Sequence, residues 1–196
     1  PSGNLVNEFA ALTTNTPLAL ALDVRGNWQT LDDLTATGRV TLGRTRLELG
    51  AQGNAVTKNF HGAVSGRLDV EDTRPFLTDS NAAEGFAIVT TSEPLALTLD
   101  VSGNWLTLAG LMATGNVALT NFAVRGQTID SVAARLAYAD GLLQLLQPEL
   151  RRAGGTQWMT GDAVDMDFKT MMMTFTNGCS VVDPVVLTSA IGPKTA

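Results

Sequence analysis

One cysteine, one histidine and one tyrosine stand in 196 residues. The lone Cys179 makes no internal disulfide and no zinc site; it reads as a small buried hydrophobe. His61 has no second histidine and no Ser/Asp partner at a recognisable spacing. Neither a catalytic triad nor a metal site is expected there, and His61 reads as a polar residue of a loop or edge strand. Charge is scarce: Asp, Glu, Lys and Arg make up 16% of the chain, against roughly 25% in an average soluble domain. Nineteen acids against thirteen bases leave a net charge of −6. No basic cluster is present, which argues against nucleic acid, because phosphate neutralisation needs grouped cations. No apolar run approaches the ~18 residues of a membrane span. No secretory leader is visible, and no Gly-rich phosphate loop opens a helix.

Paired acids are equally poor candidates. Glu71-Asp72 and Asp32-Asp33 are adjacent, and neighbours on a strand point to opposite faces; both pairs read as turn acids. Asp162, Asp165 and Asp167 form the densest acidic cluster. Calcium wants six to eight oxygens and a Gly-turned loop, so a solvated sheet face is the better reading. No catalytic residue, metal site or cofactor is expected, and the chain does not read as an enzyme. It opens at Pro1 and stops at Ala196 in mid-phrase, as a fragment of a longer protein would.

What the chain has is one phrase said twice. Residues 17–42 read PLALALDVRGNWQTLDDLTATGRVTL and residues 94–119 read PLALTLDVSGNWLTLAGLMATGNVAL. The offset is 94 − 17 = 77 without a gap, and 18 of the 26 aligned positions are identical. A self-match at fixed period marks repeat units that stack to bury a face neither can bury alone. The expected division is a first unit over 1–83 and a second over 84–196, with the polar interval 78–84 as the joint. The second unit carries extra hairpins.

Apolar residues alternate with small or polar ones, which is strand periodicity. Leu18, Leu20, Leu22 and Val24 share one face, as do Leu95, Leu97, Leu99 and Val101 in the copy. Val117 and Leu119 continue the second set. About a dozen strands are expected. Gly26-Asn27, Gly53-Asn54, Gly103-Asn104, Asp140-Gly141 and Asn177-Gly178 suit tight hairpin turns. Gly38 and Gly115, equivalent in the repeat, suggest bulges or bends that curve the sheet. Helix is confined to a short segment near 184–191 behind Asp183-Pro184 and a second around Pro75, from Thr73 to Thr78. Trp28 and Trp105 share a repeat position and read as caps over the sheet rim. Met159, Met166, Met171, Met172 and Met173 read as core filling or adaptable lipid contacts.

A sheet with one apolar face must cover it with a second sheet, a helix or something that is not protein. Long helices are absent from the pattern. A second sheet gives a β-sandwich, as in a structural or adhesive surface module. A non-protein cover gives an open curved sheet, a β-taco-like groove for acyl chains, in which each buried methylene is worth about 0.8 kcal/mol. Leu18, Leu20, Leu22, Val24, Leu95, Leu97, Leu99, Val101, Val117 and Leu119 are the candidate lining. An enzyme or carbohydrate-binding module is the weakest reading, for want of an acid/base pair or an aromatic platform.

Several phrases resemble the repeats of AsmA-like proteins, the superfamily that includes TamB: LTATGRVTLGRTRLELG, GLMATGNVALTNFAVRGQTIDSVAARLAYADGLLQL and PELRRAGGTQWMTGDAVDMDF. Val124-Arg125-Gly126, Ile129-Asp130-Ser131 and Tyr138-Ala139-Asp140-Gly141 carry the pattern best, and the tail SVVDPVVLTSAIGP is similar to a short helical connector of that family. The resemblance implies a long groove-shaped antiparallel sheet in a large bacterial envelope protein, anchored in the inner membrane and projecting into the periplasm. It implies phospholipid acyl chains as cargo, in intermembrane phospholipid transport or outer-membrane biogenesis. The implied partners are neighbouring repeats of the same chain and a membrane reached through parts outside this fragment. No catalytic residue comes with it.

Overall fold

A computed structural model describes residues 17–27, 29, 30, 32–73, 89–106, 110–167, 170 and 172–181. The chain is all-β: thirteen strand segments form one open antiparallel sheet that does not close into a barrel. The segments are β1 (Leu18–Gly26), β2 (Leu34–Leu42), β3 (Thr45–Asn54), β4 (Asn59–Leu68), β5 (Val89–Thr91), β6 (Leu95–Asn104) and β7 (Met112–Val124). After them come β8 (Gln127–Ala139), β9 (Leu142–Arg152), β10 (Gln157–Thr160), β11 (Ala163–Asp167), β12 (Met172–Thr176) and β13 (Cys179–Val181).

Several segments are parts of one strand. β10 and β11 both pair with β9, and Thr160↔Glu149 and Ala163↔Leu146 lie three residues on in each strand, so the register runs through the break at Gly161-Asp162. β12 and β13 continue each other in the same way against β11 and β10. β5 and β6 both pair with β7 and are separated by one extra residue. The result is a simple meander, each strand antiparallel to the last, ten strands abreast. At ~4.8 Å per strand the sheet is roughly 45 Å wide.

The described strands of the two copies of the repeated phrase share one register. Leu20 faces Val40 and Leu22 faces Gly38; 77 residues on, Leu97 faces Val117 and Leu99 faces Gly115. The boundary between the two expected units falls in 74–88, outside the described residues, and β4 pairs directly with β6 across it.

Three Gly-Asn pairs close strands instead of making two-residue hairpins. Asn27 Oδ1 accepts from Gln29 N–H, Asn54 Oδ1 from Val56 N–H and Asn104 Oδ1 from Leu106 N–H. This is the Asx turn, in which a short amide side chain imitates a backbone turn, and it opens a longer loop. Asp140-Gly141 does make the tight turn, with φ of 51° and 85°. Asn177, at φ 49°, marks the break between β12 and β13, not a hairpin. Gly38 and Gly115 are not bulges either, since the register is unbroken through both. The irregularity lies between Ala133 and Arg135 opposite an extra residue of β9 at Gln147-Pro148, where Gln147 has φ 50°.

The only described helix is α1 (Val70–Thr73); the expected helix from Thr73 to Thr78 lies, past Thr73, outside the described residues. Asp69 caps α1, accepting from Glu71 N–H at 3.0 Å. The expected helix near 184–191 lies outside the described residues. Among the described residues no helix is long and apolar enough to cross a membrane.

The core is thin. Leu119, Phe122 and Ile129 form its centre, with Val89, Leu95, Val124, Val132 and Leu150 against them. Residues three apart on a plain strand point to opposite faces; Asn121, at φ 51°, breaks the alternation and lets Leu119 and Phe122 join one cluster. A polar latch ties α1 to the β2–β3 turn. Asp72 accepts from the backbone N–H of Arg44 and Thr45 at 2.8 and 2.9 Å, and the 2%-exposed Asp69 pairs with Arg44 at 3.1 Å.

Candidate functional site: the apolar face

Residues directly opposite in a sheet share a face. Leu22, Gly38, Leu49, Val64, Leu99, Gly115, Leu136, Leu145, Val164 and Phe175 stand opposite one another in turn across all ten strands. A second row runs Val24, Ala36, Ala51, Gly62, Val101, Ala113, Tyr138, Leu143, Met166 and Met173. A third runs Leu20, Val40, Leu47, Gly66, Leu97, Val117 and Ala134. The opposite face carries the row Asp23, Thr37, Gly50, Ala63, Asp100, Thr114, Ala137, Gln144, Asp165 and Thr174. One face is apolar from edge to edge; the other is mostly small and polar, with Met112, Leu142, Leu146 and Met172 as its large apolar exceptions.

The candidate lining residues read from the repeat therefore lie on one surface. Leu18, Leu20, Leu22 and Val24 are exposed, Leu95, Leu99, Val101 and Val117 are half-buried, and Leu97 and Leu119 are buried. The repeat alone misses Leu47, Leu49, Val64, Leu136, Leu143, Leu145, Val164 and Phe175, which extend the same rows. Alternation in β3, β4, β8 and β11 is the signal that finds most of them. Among the described residues no second sheet lies over this surface.

Aromatic rings sit at one rim. The Trp105 ring lies over the apolar side of Gly53, where an added Cβ would come within 2.7 Å of it, and Phe60 packs near Gly103. Trp105 is a rim cap, as its position suggests; Trp28 lies outside the described residues. Met172 and Met173 are exposed at the far edge, whereas Met159 and Met166 are half-buried; Met171 lies outside the described residues.

The polar face holds shallow open depressions. One of them, about 500 Å³, is floored by Ala96, Ala118 and Ala133 and rimmed by Asn116, Arg135 and Glu149. Glu149 is held by Arg151 on its own strand, and no acid/base pair faces the hollow. His61 sits on this face in the interior strand β4, exposed, with β3 and β6 on either side. It is not in a loop or at an edge, because a strand position facing water solvates the ring equally well. Asp165 accepts from Gln144 Nε2 at 3.0 Å and Asp162 from Asn177 Nδ2 at 2.6 Å. Among the described residues no group of three His, Cys, Asp or Glu could hold a metal ion. Cys179 is exposed, not buried, because β13 is the last described strand and all its residues are exposed.

The chain matches no protein-family model, no curated protein sequence and no solved structure.

Proposed function

We propose that this chain is a non-catalytic β-repeat segment of an AsmA-like, TamB-like envelope protein, and that its apolar face shields phospholipid acyl chains. The supporting observation is the set of apolar rows across ten strands, with no second described sheet over it and with β1 exposed along its length. Lipid tails laid on that face exchange water for leucine and valine side chains, while head groups stay in solvent at the rim. A fully shielded sixteen-carbon chain is worth on the order of 10 kcal/mol at about 0.8 kcal/mol per methylene. The protein moves no proton and breaks no bond in this scheme; it lowers the cost of taking a lipid out of a bilayer. The reading includes a periplasmic location, an inner-membrane anchor elsewhere in the protein, adjoining repeat units that lengthen the face, and a role in phospholipid transport or outer-membrane biogenesis.

Native mass spectrometry of the chain purified from a bacterial envelope tests this. Co-purifying phospholipid, lost in a Leu20→Asp/Leu22→Asp variant that keeps its strand signal by circular dichroism, is the expected result. A lipid-free, stably folded monomer would point instead to an apolar face closed by protein, as in a structural sandwich.

A further inference from the structure

The two copies of the repeated hairpin share one register but differ at their outer edges. β6 is paired along its whole outer edge by β4, from Asn59↔Asn104 to Leu68↔Leu95. No described strand pairs with the outer edge of β1, and all nine of its residues are exposed. Sheet edges are normally blunted by proline, lysine, a bulge or a covering element. β1 reads LALALDVRG, with no proline or lysine, and its pairing with β2 is unbroken. Its two charges, Asp23 and Arg25, satisfy each other at 3.0 Å on the polar face.

We propose that the outer edge of β1 is a strand-docking site. Its occupant is an antiparallel strand with the spacing of β4, supplied by a further repeat unit of the same kind. The template is internal. Against β6, β4 sets Gly66 opposite Leu97, Val64 opposite Leu99 and Gly62 opposite Val101. Moved by the repeat offset, a docked strand sets glycine opposite Leu20, a branched apolar residue opposite Leu22 and glycine opposite Val24. Main-chain hydrogen bonds give such a strand its affinity, and the alternating side chains give it its register. A second copy offering its own β1, centred on Leu22, would bring Val24 against Leu20, a pairing of two branched residues that the β4–β6 ladder does not contain at that place. The proposal rests on reading this chain as one unit of a longer sheet, and it is independent of what the apolar face carries.

The test uses the 196-residue chain and a synthetic peptide of residues 57–69 carrying a benzophenone side chain in place of Val64. Saturable binding and a cross-link centred on Leu22 are expected. A peptide with Gly62→Pro and Ala63→Pro, which loses one ladder donor on each edge of the strand, is expected to bind about tenfold more weakly or worse. No saturable binding up to about 1 mM, a millimolar Kd being the floor of specific affinity, would overturn the proposal. So would equal affinity of the two peptides, cross-links on β12 or β13, or dimerisation of the chain through β1 without peptide. Docking without lipid binding would remove the lipid reading and leave this one standing; lipid binding without docking would do the reverse.

Discussion

Leu20 and Leu97 occupy one position in two copies of one hairpin, each directly opposite a valine, yet Leu20 is 56% exposed and Leu97 9%. The difference comes from neighbours, because β4 lies alongside β6 and no described strand lies outside β1. Leu97→Ala is therefore expected to cost about 2–4 kcal/mol, as a buried leucine does. Leu20→Ala is expected to cost about 0.5 kcal/mol or less, as surface changes do. Urea unfolding followed by circular dichroism measures both. Equal losses would mean that β1 is covered in solution.

Glycine supplies a second contrast. Gly66 has φ 139°, and a Cβ there would collide with the Arg46 carbonyl oxygen, whereas a Cβ at Gly50 meets nothing within 4 Å. Gly66→Ala is expected to destabilise by about 1–3 kcal/mol through strain. Gly50→Ala is expected to be neutral or to stabilise by about 0.5–1 kcal/mol, because it restricts the unfolded chain. Thermal or urea unfolding of the two variants side by side decides this.

The latch at the β2–β3 turn depends on two aspartates. Asp69 caps α1 and pairs with Arg44, and Asp72 takes three hydrogen bonds from Arg44 and Thr45. Asp72→Ala leaves two turn N–H groups without their acceptor and is expected to cost about 1–3 kcal/mol. Faster amide exchange at Arg44 and Thr45, with the rest of the sheet still protected, would locate the loss. Unchanged exchange there would show that the latch does not hold the turn.

Acid should weaken one junction selectively. The Glu93 carboxylate accepts from Thr120 Oγ1 at 2.7 Å and Asn121 Nδ2 at 2.9 Å, and these bonds hold its pKa below the ordinary glutamate value. The unfolded chain binds the proton more readily, so this stabilisation is fully present above the ordinary range, near pH ~4.3. It is lost as pH falls through the lowered value. The stability gap between the native chain and Glu93→Gln is therefore expected to narrow from pH 7 to pH 3 in urea titrations. The contribution is small because the group is solvated. A gap that widens toward acid would contradict the assignment.

Much of the sheet was legible because the alternation in LALALDV, TRLEL and SVAARLAYA has one apolar side, and a period of two with one apolar side is a strand. The same rule fails in β9. Leu142-Leu143 and Leu145-Leu146 do not alternate, and Gln147-Pro148 adds a residue against β8, so only pairing decides that Leu143 and Leu145 join the apolar rows. Asn27, Asn54 and Asn104 look like hairpin residues by composition, but their side chains cap longer loops. The exposure of Cys179 is not legible in the sequence, because a cysteine's usual burial says nothing about how open its own strand is. The capping role of Asp69 is not legible either, because it needs the fold to bring Thr45 and Arg44 beside it.

Photo-crosslinking tests lipid shielding most directly. Leu22 and Ala21 are neighbours in β1 but face opposite sides of the sheet, as do Leu99 and Thr98 in β6. A benzophenone side chain at each position, irradiated in a bacterial envelope, reports what touches each face. Phospholipid adducts from positions 22 and 99, with none from 21 and 98, are the expected outcome. Adducts to protein alone from positions 22 and 99, or equal lipid labelling of both faces, would contradict a lipid-shielding apolar face.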